Sequence, residues 1–269
     1  MQASAMNCGP MSERADVTAG DVTEDGFLGG QLRLRQPKLG HRAGHDAILL
    51  AAATVARAGD RVADFGAGVG AAGLALAKRN PAIELVLIEI DEALAALARH
   101  NAASNQIAAE IIAIDIASGA EAFAAAGLKP DSFDVVLMNP PFNAPGRHRA
   151  SPDPGRKAAH VAEATTLESW IHAARRVLKT GGVLTLIWRA DALAEALATL
   201  DRGFGSVTIL PVHGNPGTPA IRVLIRAIKG ARGKAALYPG LLLNDESGVP
   251  NKKVQEILAG KAALPMATL

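Results

Sequence analysis

The strongest constraint on the fold is a regular alternation of short apolar segments with helical patterns across residues 61–201. Such alternation indicates right-handed βαβ units and a parallel sheet that is covered by helices on both faces. The predicted strands lie near residues 61–65, 83–90, 110–115, 133–138 and 183–189. The predicted helices lie near residues 46–57, 69–79, 91–104, 118–126, 165–179 and 190–201.

Two further predicted strands depart from this alternation. Residues 206–212 and 220–229 are separated by a segment, 213–219, that is too short for a crossover helix. We therefore expect them to form an antiparallel pair. Trp170 and Trp188 fall on a helix pattern and a strand pattern, and both are predicted to lie in the core.

Length and composition favour one main domain with an extension at each end. Of the 269 residues, 49% are apolar, yet no apolar run approaches the roughly 20 residues of a membrane span. We expect a flexible N-terminal arm over residues 1–28, an α/β domain over 29–230 and a C-terminal tail with one short helix over 231–269. The arm lacks the apolar region of a signal peptide and Cys8 is the only cysteine, so a cytoplasmic protein is expected.

A glycine-rich turn follows the first predicted strand. The sequence Asp64-Phe65-Gly66-Ala67-Gly68-Val69-Gly70 lets a strand turn tightly into a helix and lets a ligand approach bare backbone, which is typical of nucleotide binding. The segment from Gly68 to Gly73 also fits the dinucleotide-binding pattern. Asp64 favours another cofactor, because a carboxylate at this position would repel a pyrophosphate but can pair with the ammonium group of S-adenosylmethionine.

Acidic residues also end the next two predicted strands. Glu89 lies where an acid commonly accepts hydrogen bonds from ribose hydroxyls. Asp115 ends the third strand, where its carboxylate can accept a hydrogen bond from an adenine amino group; a helix-cap or turn role is the alternative. Asp91 and Asp46 are interpreted as the N-caps of the helices that follow them.

A second motif, Asn139-Pro140-Pro141-Phe142, ends the fourth predicted strand. The prolines have no backbone N–H to donate, so the Asn amide is well suited to accept hydrogen bonds from a planar amino group. The ring of Phe142 can stack on the ring that carries this group. The two motifs together suggest a cofactor loop and a reaction centre on one sheet, whereas a rigid surface turn is the alternative for the second.

The combination of the two motifs resembles the class I S-adenosylmethionine-dependent methyltransferases, in the branch whose Asn-Pro-Pro-Phe/Tyr motif marks methylation of planar exocyclic nitrogens. The resemblance covers roughly residues 29–230. It implies a Rossmann-like, mostly parallel seven-stranded sheet in the order 3-2-1-4-5-7-6, with an antiparallel last strand and helices on both faces. The S-adenosylmethionine ligands that it implies in the two motifs and strand ends are Asp64, Gly66, Gly68, Gly70, Glu89 and Asp115.

The resemblance also implies a catalytic role for the second motif. The side-chain carbonyl of Asn139 and the backbone carbonyl of Pro140 would accept both hydrogens of the substrate amine, while Phe142 would stack on the base. Hydrogen bonding of this kind draws the nitrogen lone pair out of conjugation and aims it at the methyl group, so catalysis is mainly positioning. No metal is expected in the site.

The segment 39–51 is similar to one that precedes the cofactor domain in bacterial tRNA (adenine-N6)-methyltransferases, which usually reads Gly-Tyr-Arg-Phe-Ser-x-Asp-Ala-x-Leu-Leu-Ala. That segment caps the cofactor in such enzymes. The site candidates that the similarity adds are Arg42, His45 and Asp46. His41 and Ala43 stand where Tyr and Phe are usual in that segment.

Basic segments indicate a polyanionic partner, although the net charge is only +2. Residues 31–45, 145–160 and 220–234 are rich in Lys and Arg and contain a single carboxylate. If the fold gathers them, they form a polyanion-binding face. Arg156 and Lys157 lie in a segment that we interpret as a mobile basic lid over residues 144–160 that grips phosphates. RNA, most simply a tRNA, is the expected substrate of a monomer or homodimer.

Other functions stay open at this point. The same cofactor site can serve a glutamine amide in a protein or a small-molecule hydroxyl, although hydroxyl chemistry should show an acid cluster or a histidine base. A non-catalytic nucleotide-binding protein need not keep Asp64, Glu89 and Asn139 together. An NAD-dependent oxidoreductase would leave the second motif without a role.

Overall fold

The computed structural model describes residues 22–40, 42–141 and 154–267, and for residues 154–165 it describes the backbone alone. The strands in these residues are β1 (Val22–Phe27), β2 (Leu32–Pro37), β3 (Arg61–Phe65), β4 (Glu84–Glu89), β5 (Ala109–Ala113), β6 (Phe133–Met138), β7 (Leu178–Arg189), β8 (Phe204–His213), β9 (Ala220–Lys229), β10 (Ala236–Leu237) and β11 (Leu241–Leu242). The helices are α1 (His45–Ala53), α2 (Ala71–Arg79), α3 (Glu92–Ser104), α4 (Ala120–Ala125), α5 (Pro154–Val177), α6 (Leu193–Leu200) and α7 (Lys252–Leu258). Within this part of the chain, no helix combines the length and the apolar character that crossing a bilayer requires.

The main sheet is mixed and mostly parallel, as predicted. Its strands lie in the order β10, β8, β9, β7, β6, β3, β4, β5, and β11 also pairs with β8. β9 is antiparallel to both of its neighbours, β7 and β8, which confirms the antiparallel pair predicted over residues 206–212 and 220–229. The prediction of seven strands was too low. The two short strands β10 and β11 pair with the edge of β8, where backbone groups would otherwise lack partners.

Two apolar layers cover the two faces of the sheet. One layer contains α1, α2 and α3, and it also receives side chains of β2 and of the C-terminal segment. The other contains α4, α5 and α6. Trp188 is fully buried and Trp170 is 9% exposed, so both tryptophans lie in the core as predicted. The carboxyl edge of the sheet is therefore supported from both sides.

A hairpin occupies residues that the sequence assigned to the flexible arm. Val22–Phe27 form β1, which pairs antiparallel with β2. Leu32 and Leu34 on β2 are fully buried in the α1 layer, and this burial holds the hairpin on the domain. Residues 1–21 of the predicted arm lie outside the described residues.

The segment after Gly230 packs against the α1 layer. Its helix, α7, forms where the short helix around residues 251–259 was predicted. Leu264 and Met266 are buried, and the Leu264 amide donates to the Ala52 carbonyl at 3.0 Å. Arg226, only 8% exposed, donates to the Met266 carbonyl at 2.5 Å. These contacts tie the segment to β9 and to α1.

Helix α5 begins earlier than predicted. The sequence indicated a helix from residue 165, but α5 starts at Pro154, which is tolerated at a first helical position because its missing N–H has no partner there in any case. Arg156 and Lys157 therefore lie in helical backbone rather than in the predicted loop. The rest of the predicted lid, up to residue 153, lies outside the described residues.

Candidate active site

Three strand ends converge at the carboxyl edge of the sheet. β3 pairs in parallel with β4 on one side and with β6 on the other. The glycine-rich turn after β3, Glu89 at the end of β4 and Asn139 directly after β6 are consequently neighbours. The fold thus brings the two sequence motifs to one edge, as the sequence suggested.

The glycine-rich turn is tightly packed at one position and open at another. Gly66, Gly68 and Gly70 have φ values of 67°, 57° and 87°, a region that residues with side chains rarely adopt. A methyl group on Gly66 would lie 2.3 Å from the ring of Trp170. A methyl group on Gly68 would meet no described atom within 4 Å, so a ligand can approach the backbone there.

The buried carboxyl group of Asp64 supports the glycine-rich turn by a hydrogen bond to the helix that follows it. Its side chain is 2% exposed, and Oδ2 accepts a 2.7 Å hydrogen bond from the backbone N–H of Gly73 in the first turn of α2. The N-cap of α2 is Gly70, which has no side chain, so Asp64 supplies the missing cap from β3. Burial raises the pKa of the Asp64 carboxyl to about 7; the Gly73 hydrogen bond opposes this shift and the Glu89 charge adds to it.

Glu89 connects the turn to the next strand. It is 7% exposed; Oε2 accepts from the Gly68 amide at 2.7 Å and Oε1 accepts from the Asp91 amide at 2.9 Å. Because each carboxylate oxygen has two lone pairs, both can still accept from a ligand hydroxyl. Asp91 is the N-cap of α3, as predicted, and accepts from two amides of the first turn.

Asn139 contains a buried acceptor that nothing in the described part of the chain satisfies. Its Oδ1 has almost no exposed surface and no hydrogen-bond partner among those residues. Pro140 is buried and Pro141 is exposed, and neither has an N–H to offer. An unpaired buried acceptor costs about 1–3 kcal/mol, so a partner supplied by a ligand would be favourable. Phe142 lies outside the described residues.

Asp115 and His45 are both exposed. Oδ1 of Asp115 accepts from the Ala117 amide at 2.8 Å, which is the turn geometry considered as the alternative for this residue. His45 is the first residue of α1. The structure thus places the third strand-end carboxylate in a turn.

Arg42 and Asp46 make contacts that the sequence did not indicate. Arg42 donates to Oδ2 of Asp25 at 2.5 Å and to the Pro37 carbonyl at 2.7 Å, so it ties the segment before α1 to the hairpin. Oδ2 of Asp46 accepts from Nε of Arg222 on β9 at 3.0 Å. The prediction that Asp46 is the N-cap of α1 was wrong.

The reason for that error is the position of the helix start. The N-cap is Gly44, and Asp46 lies inside the first turn, where a carboxylate still interacts favourably with the helix dipole. The segment is therefore fixed at both ends, by the hairpin and by β9.

Two residues near the turn were missed by the sequence analysis. Ile90, which follows Glu89, is 63% exposed although it is large and apolar. The only sequence signal was its position after the acidic strand end, and it was included in the predicted strand 83–90. Asn101 of α3 is fully buried and donates to the Val69 carbonyl at 3.0 Å. No local pattern could reveal this contact, because the two residues are 32 positions apart.

The chemistry of the edge fits an adenosine-containing cofactor. The open backbone at Gly68 and the carboxylate of Glu89 suit a ribose, and the exposed side chain of Ile90 offers an apolar surface to a base. Among the described residues, no group of three His, Cys, Asp or Glu side chains is arranged to hold a metal ion.

Comparison with known proteins agrees with this geometry. The family model for the Methyltransferase small domain matches residues 44–214. A tRNA1(Val) (adenine(37)-N6)-methyltransferase of Erwinia tasmaniensis is 28% identical over 75% of this chain and 80% of its own length. The protein of the same name from Bacteroides thetaiotaomicron is 30% identical over 72% of this chain and 80% of its own length.

Solved structures share the fold. A predicted O-methyltransferase of Agrobacterium tumefaciens superposes with a TM-score of 0.68 and 33% identity, covering 81% of this chain and 98% of that one. The 16S rRNA N2 G1207 methyltransferase of Thermus thermophilus, solved with AdoMet and guanosine, has a TM-score of 0.52 and 20% identity over 77% of this chain and 50% of its own. The second likeness concerns the fold alone.

The matched region runs from the residue before α1 to the residue after β8, so it contains the glycine-rich turn, Glu89 and Asn139. The relatives align over most of their own length as well. The chain therefore belongs to the Methyltransferase small domain family and is an S-adenosylmethionine-dependent N-methyltransferase.

Proposed function

We propose that this enzyme methylates N6 of an adenine in tRNA. The observation that carries the proposal is the buried Oδ1 of Asn139, which has no partner among the described residues and lies on the same sheet edge as the glycine-rich turn. An exocyclic amine offers two N–H donors to such a site. The names of the Erwinia and Bacteroides relatives support adenine in a tRNA as the acceptor.

The chain's own residues act mainly by positioning. Oδ1 of Asn139 and the carbonyl oxygen of Pro140 accept the two N–H groups of the amine, which turns its lone pair out of the plane of the base. When bound, S-adenosylmethionine supplies an electrophilic methyl group. The methyl–sulfur bond would break as the N–C bond forms, leaving neutral S-adenosylhomocysteine, and the cationic amine nitrogen would then release one proton to solvent, so a dedicated base is unnecessary. Phe142 supplies stacking on the base.

The cofactor ligands are assigned as in the sequence analysis except at Asp64, Arg42 and Asp46. Glu89 accepts from the ribose hydroxyls, and the backbone around Gly66, Gly68 and Gly70 lies against the cofactor. Asp64 acts chiefly by holding Gly73 and the turn in place, as its 2.7 Å hydrogen bond supports. Asp115 contacts the adenine. Arg42 and Asp46 position the segment before α1 through Asp25 and Arg222.

The architecture around the site is assigned in the same way. The strands β3 to β9 form the catalytic sheet, in the order 3-2-1-4-5-7-6 when they are numbered from the first of them, and β10 and β11 are additions to one edge.

Arg156 and Lys157 bind phosphates of the RNA. The enzyme works in the cytoplasm, which the single cysteine of the sequence supports.

A methyl-transfer assay with three acceptor pools tests the proposal. Radiolabelled S-adenosylmethionine is incubated with the enzyme and an unmodified tRNA transcript pool, bulk protein or a small-molecule extract, and labelled RNA is digested to nucleosides. Label in N6-methyladenosine is the expected result. Label confined to a protein amide, or to a hydroxyl as the name of the Agrobacterium neighbour suggests for that protein, would contradict the proposed acceptor.

A further inference from the structure

One buried amide joins the cofactor loop to the N-terminal hairpin. Asn101 of α3 is 0% exposed, and its Oδ1 accepts from the backbone N–H of Arg35 at 2.8 Å. Its Nδ2 donates to the Arg35 carbonyl at 3.1 Å and to the Val69 carbonyl, between Gly68 and Gly70, at 3.0 Å. Both amide hydrogens are thus in use, one on the hairpin and one on the loop.

A second amide repeats half of this pattern. Oδ1 of Asn105 accepts from the Arg33 amide at 2.9 Å and Nδ2 donates to the Arg33 carbonyl at 2.7 Å. Four residues of a helix advance about 6 Å and two residues of a strand about 6.6 Å, so the two side chains fit two successive positions of one strand edge. Helix α3 therefore pairs with the free edge of β2, but only Asn101 also reaches the cofactor loop.

This pairing fixes which side chains of β2 face outward. Leu32, Leu34 and Gln36 are buried, and the alternation of the strand leaves Arg33 and Arg35 exposed. Arg33 lies 3.2 Å from Glu24, but this pair is largely solvent-exposed and therefore weak. The guanidinium of Arg35 has no partner within the described part of the chain. Lys38, just beyond the strand, is exposed as well.

We propose that the outer face of the β1–β2 hairpin grips the phosphodiester backbone of the RNA substrate, and that Asn101 makes this grip cooperative with cofactor binding at the glycine-rich turn. The inference rests on the proposed function, since it takes RNA as the methyl acceptor. A guanidinium held on a rigid strand matches the planar fork that phosphate oxygens accept.

The cooperativity follows from the shared amide. A cofactor that orders the turn fixes the Val69 carbonyl, which fixes Asn101 and with it the backbone at Arg35. Coupling between two binding equilibria is reciprocal. RNA bound to the hairpin must therefore tighten cofactor binding by the same factor. Such a coupling would favour the ternary complex over either binary one.

The RNA-binding half is tested with a charge-matched pair of variants. Arg35→Gln removes a hairpin cation, and Arg57→Gln removes an exposed cation in the loop that precedes β3. Arg35→Gln is expected to weaken binding of a tRNA transcript about 5- to 10-fold and to lower the salt dependence of log K by about one. Arg57→Gln should stay within about twofold of wild type. Equal effects of the two variants would overturn the proposal.

The coupling half is tested by measuring tRNA affinity with and without saturating S-adenosylhomocysteine. In wild type the ligand should tighten RNA binding at least about fivefold, the lower end of typical allosteric coupling. Asn101→Ala should abolish this ratio, whereas Asn105→Ala, which loosens the hairpin but leaves the Val69 contact, should keep most of it. Equal ratios in all three proteins would contradict the inference.

The wild-type protein keeps the test decisive if Asn101→Ala fails to fold. RNA binding without any effect of S-adenosylhomocysteine overturns this inference and leaves the proposed function intact. Absence of RNA binding in wild type overturns both.

Discussion

The two ends of the active-site edge differ in how their polar groups are satisfied. At the β3–β4 end, Glu89 accepts from the Gly68 amide of the glycine-rich turn, and Asp64 accepts from the Gly73 amide at the start of α2. At the β6 end, the Asn139 oxygen is buried and has no partner in the described chain. The β3–β4 end is thus completed by the protein itself, whereas at the β6 end the described chain supplies no partner for the Asn139 oxygen.

This difference suggests that the two ends contribute free energy to different steps, one to cofactor binding and the other to substrate positioning. Amides that are already bound to carboxylates need no reorganisation when the cofactor arrives, so the turn is preformed. An acceptor without a partner in the described chain would gain its hydrogen bond only from a ligand, so under the proposed function its contribution falls on substrate positioning. Variants at the two ends should therefore affect different steps.

The largest effect is expected for Asn139→Ala. Methyl transfer in a single turnover should fall about 10²- to 10³-fold, as for loss of one preorganised hydrogen-bonding group, while the affinity for S-adenosylhomocysteine stays within about twofold. The melting temperature should not fall, since the lost oxygen has no partner in the described free enzyme.

Asn139→Asp serves as the matched control, because it keeps an acceptor at the same place and should retain more activity than the Ala variant. If Asn139→Ala instead lowers the affinity for S-adenosylhomocysteine as much as it slows methyl transfer, the two ends of the edge do not act on different steps.

The next largest effect is expected within the turn itself. Gly66→Ala should lower the free energy of unfolding by about 3 kcal/mol, because the new methyl group collides with Trp170 and the backbone is held at positive φ. Gly68→Ala has open space and should lower the free energy of unfolding by only about 1 kcal/mol, but its methyl group enters the region where we propose that the cofactor binds.

Urea unfolding and calorimetric titration with S-adenosylhomocysteine separate these two losses. Similar stability losses in both variants would show that the contact between Gly66 and Trp170 does not constrain the turn.

A smaller, pH-dependent effect is expected from Asp64. Burial raises the pKa of its carboxyl to about 7, above the value near 4 of an unfolded chain. Because the folded state holds this proton more tightly, protonated Asp64 contributes its full share of the free energy of unfolding below about pH 4. This contribution is lost as the pH rises towards 7. Between pH 5 and 8 the free energy of unfolding of wild type should fall relative to Asp64→Asn by about 2 kcal/mol.

Urea unfolding of both proteins at unit steps of pH measures this difference. Parallel curves for wild type and Asp64→Asn would mean that Asp64 is ionised in the fold throughout, and the preformed character of the turn would need another explanation.

The smallest effect is expected beside the site. The Arg42–Asp25 ion pair has side chains that are 33% and 36% exposed, so a double-mutant cycle with Arg42→Gln and Asp25→Asn should give a coupling of only about 0.5 kcal/mol. Both variants should weaken the binding of S-adenosylhomocysteine to the same small extent. A much stronger effect of Arg42→Gln alone would show that Arg42 contacts the cofactor directly.

The elements that a local pattern encodes were predicted well. β6 and β9 coincide with the apolar runs over residues 133–138 and 220–229, because Asn-Pro-Pro and Gly-Ala-Arg end those runs abruptly. The strand-end positions of Asp64, Glu89 and Asn139 followed from the same patterns. Their convergence on one edge needed only the rule that parallel strands share a carboxyl edge.

The parts that depend on distant partners were not predicted. The hairpin is held by Asn101 and Asn105, which lie 66 and 72 positions from the residues they bind, and no periodicity encodes such pairs. The role of Asp64 as a cap for α2 likewise depends on a contact across nine positions. The roles of Phe142, Arg156 and Lys157 stay predictions, because their side chains lie outside the described part of the chain.

The burial of Leu264 and Met266 has a consequence for how the protein is made. A ribosome delivers every strand of the sheet before these residues, so the nascent domain exposes the apolar surface of α1 that they later cover. The Leu264 amide and the Arg226 guanidinium can make their contacts only after that moment. Biosynthesis of this enzyme therefore includes a late interval in which the C-terminal segment does not yet cover the apolar surface of α1.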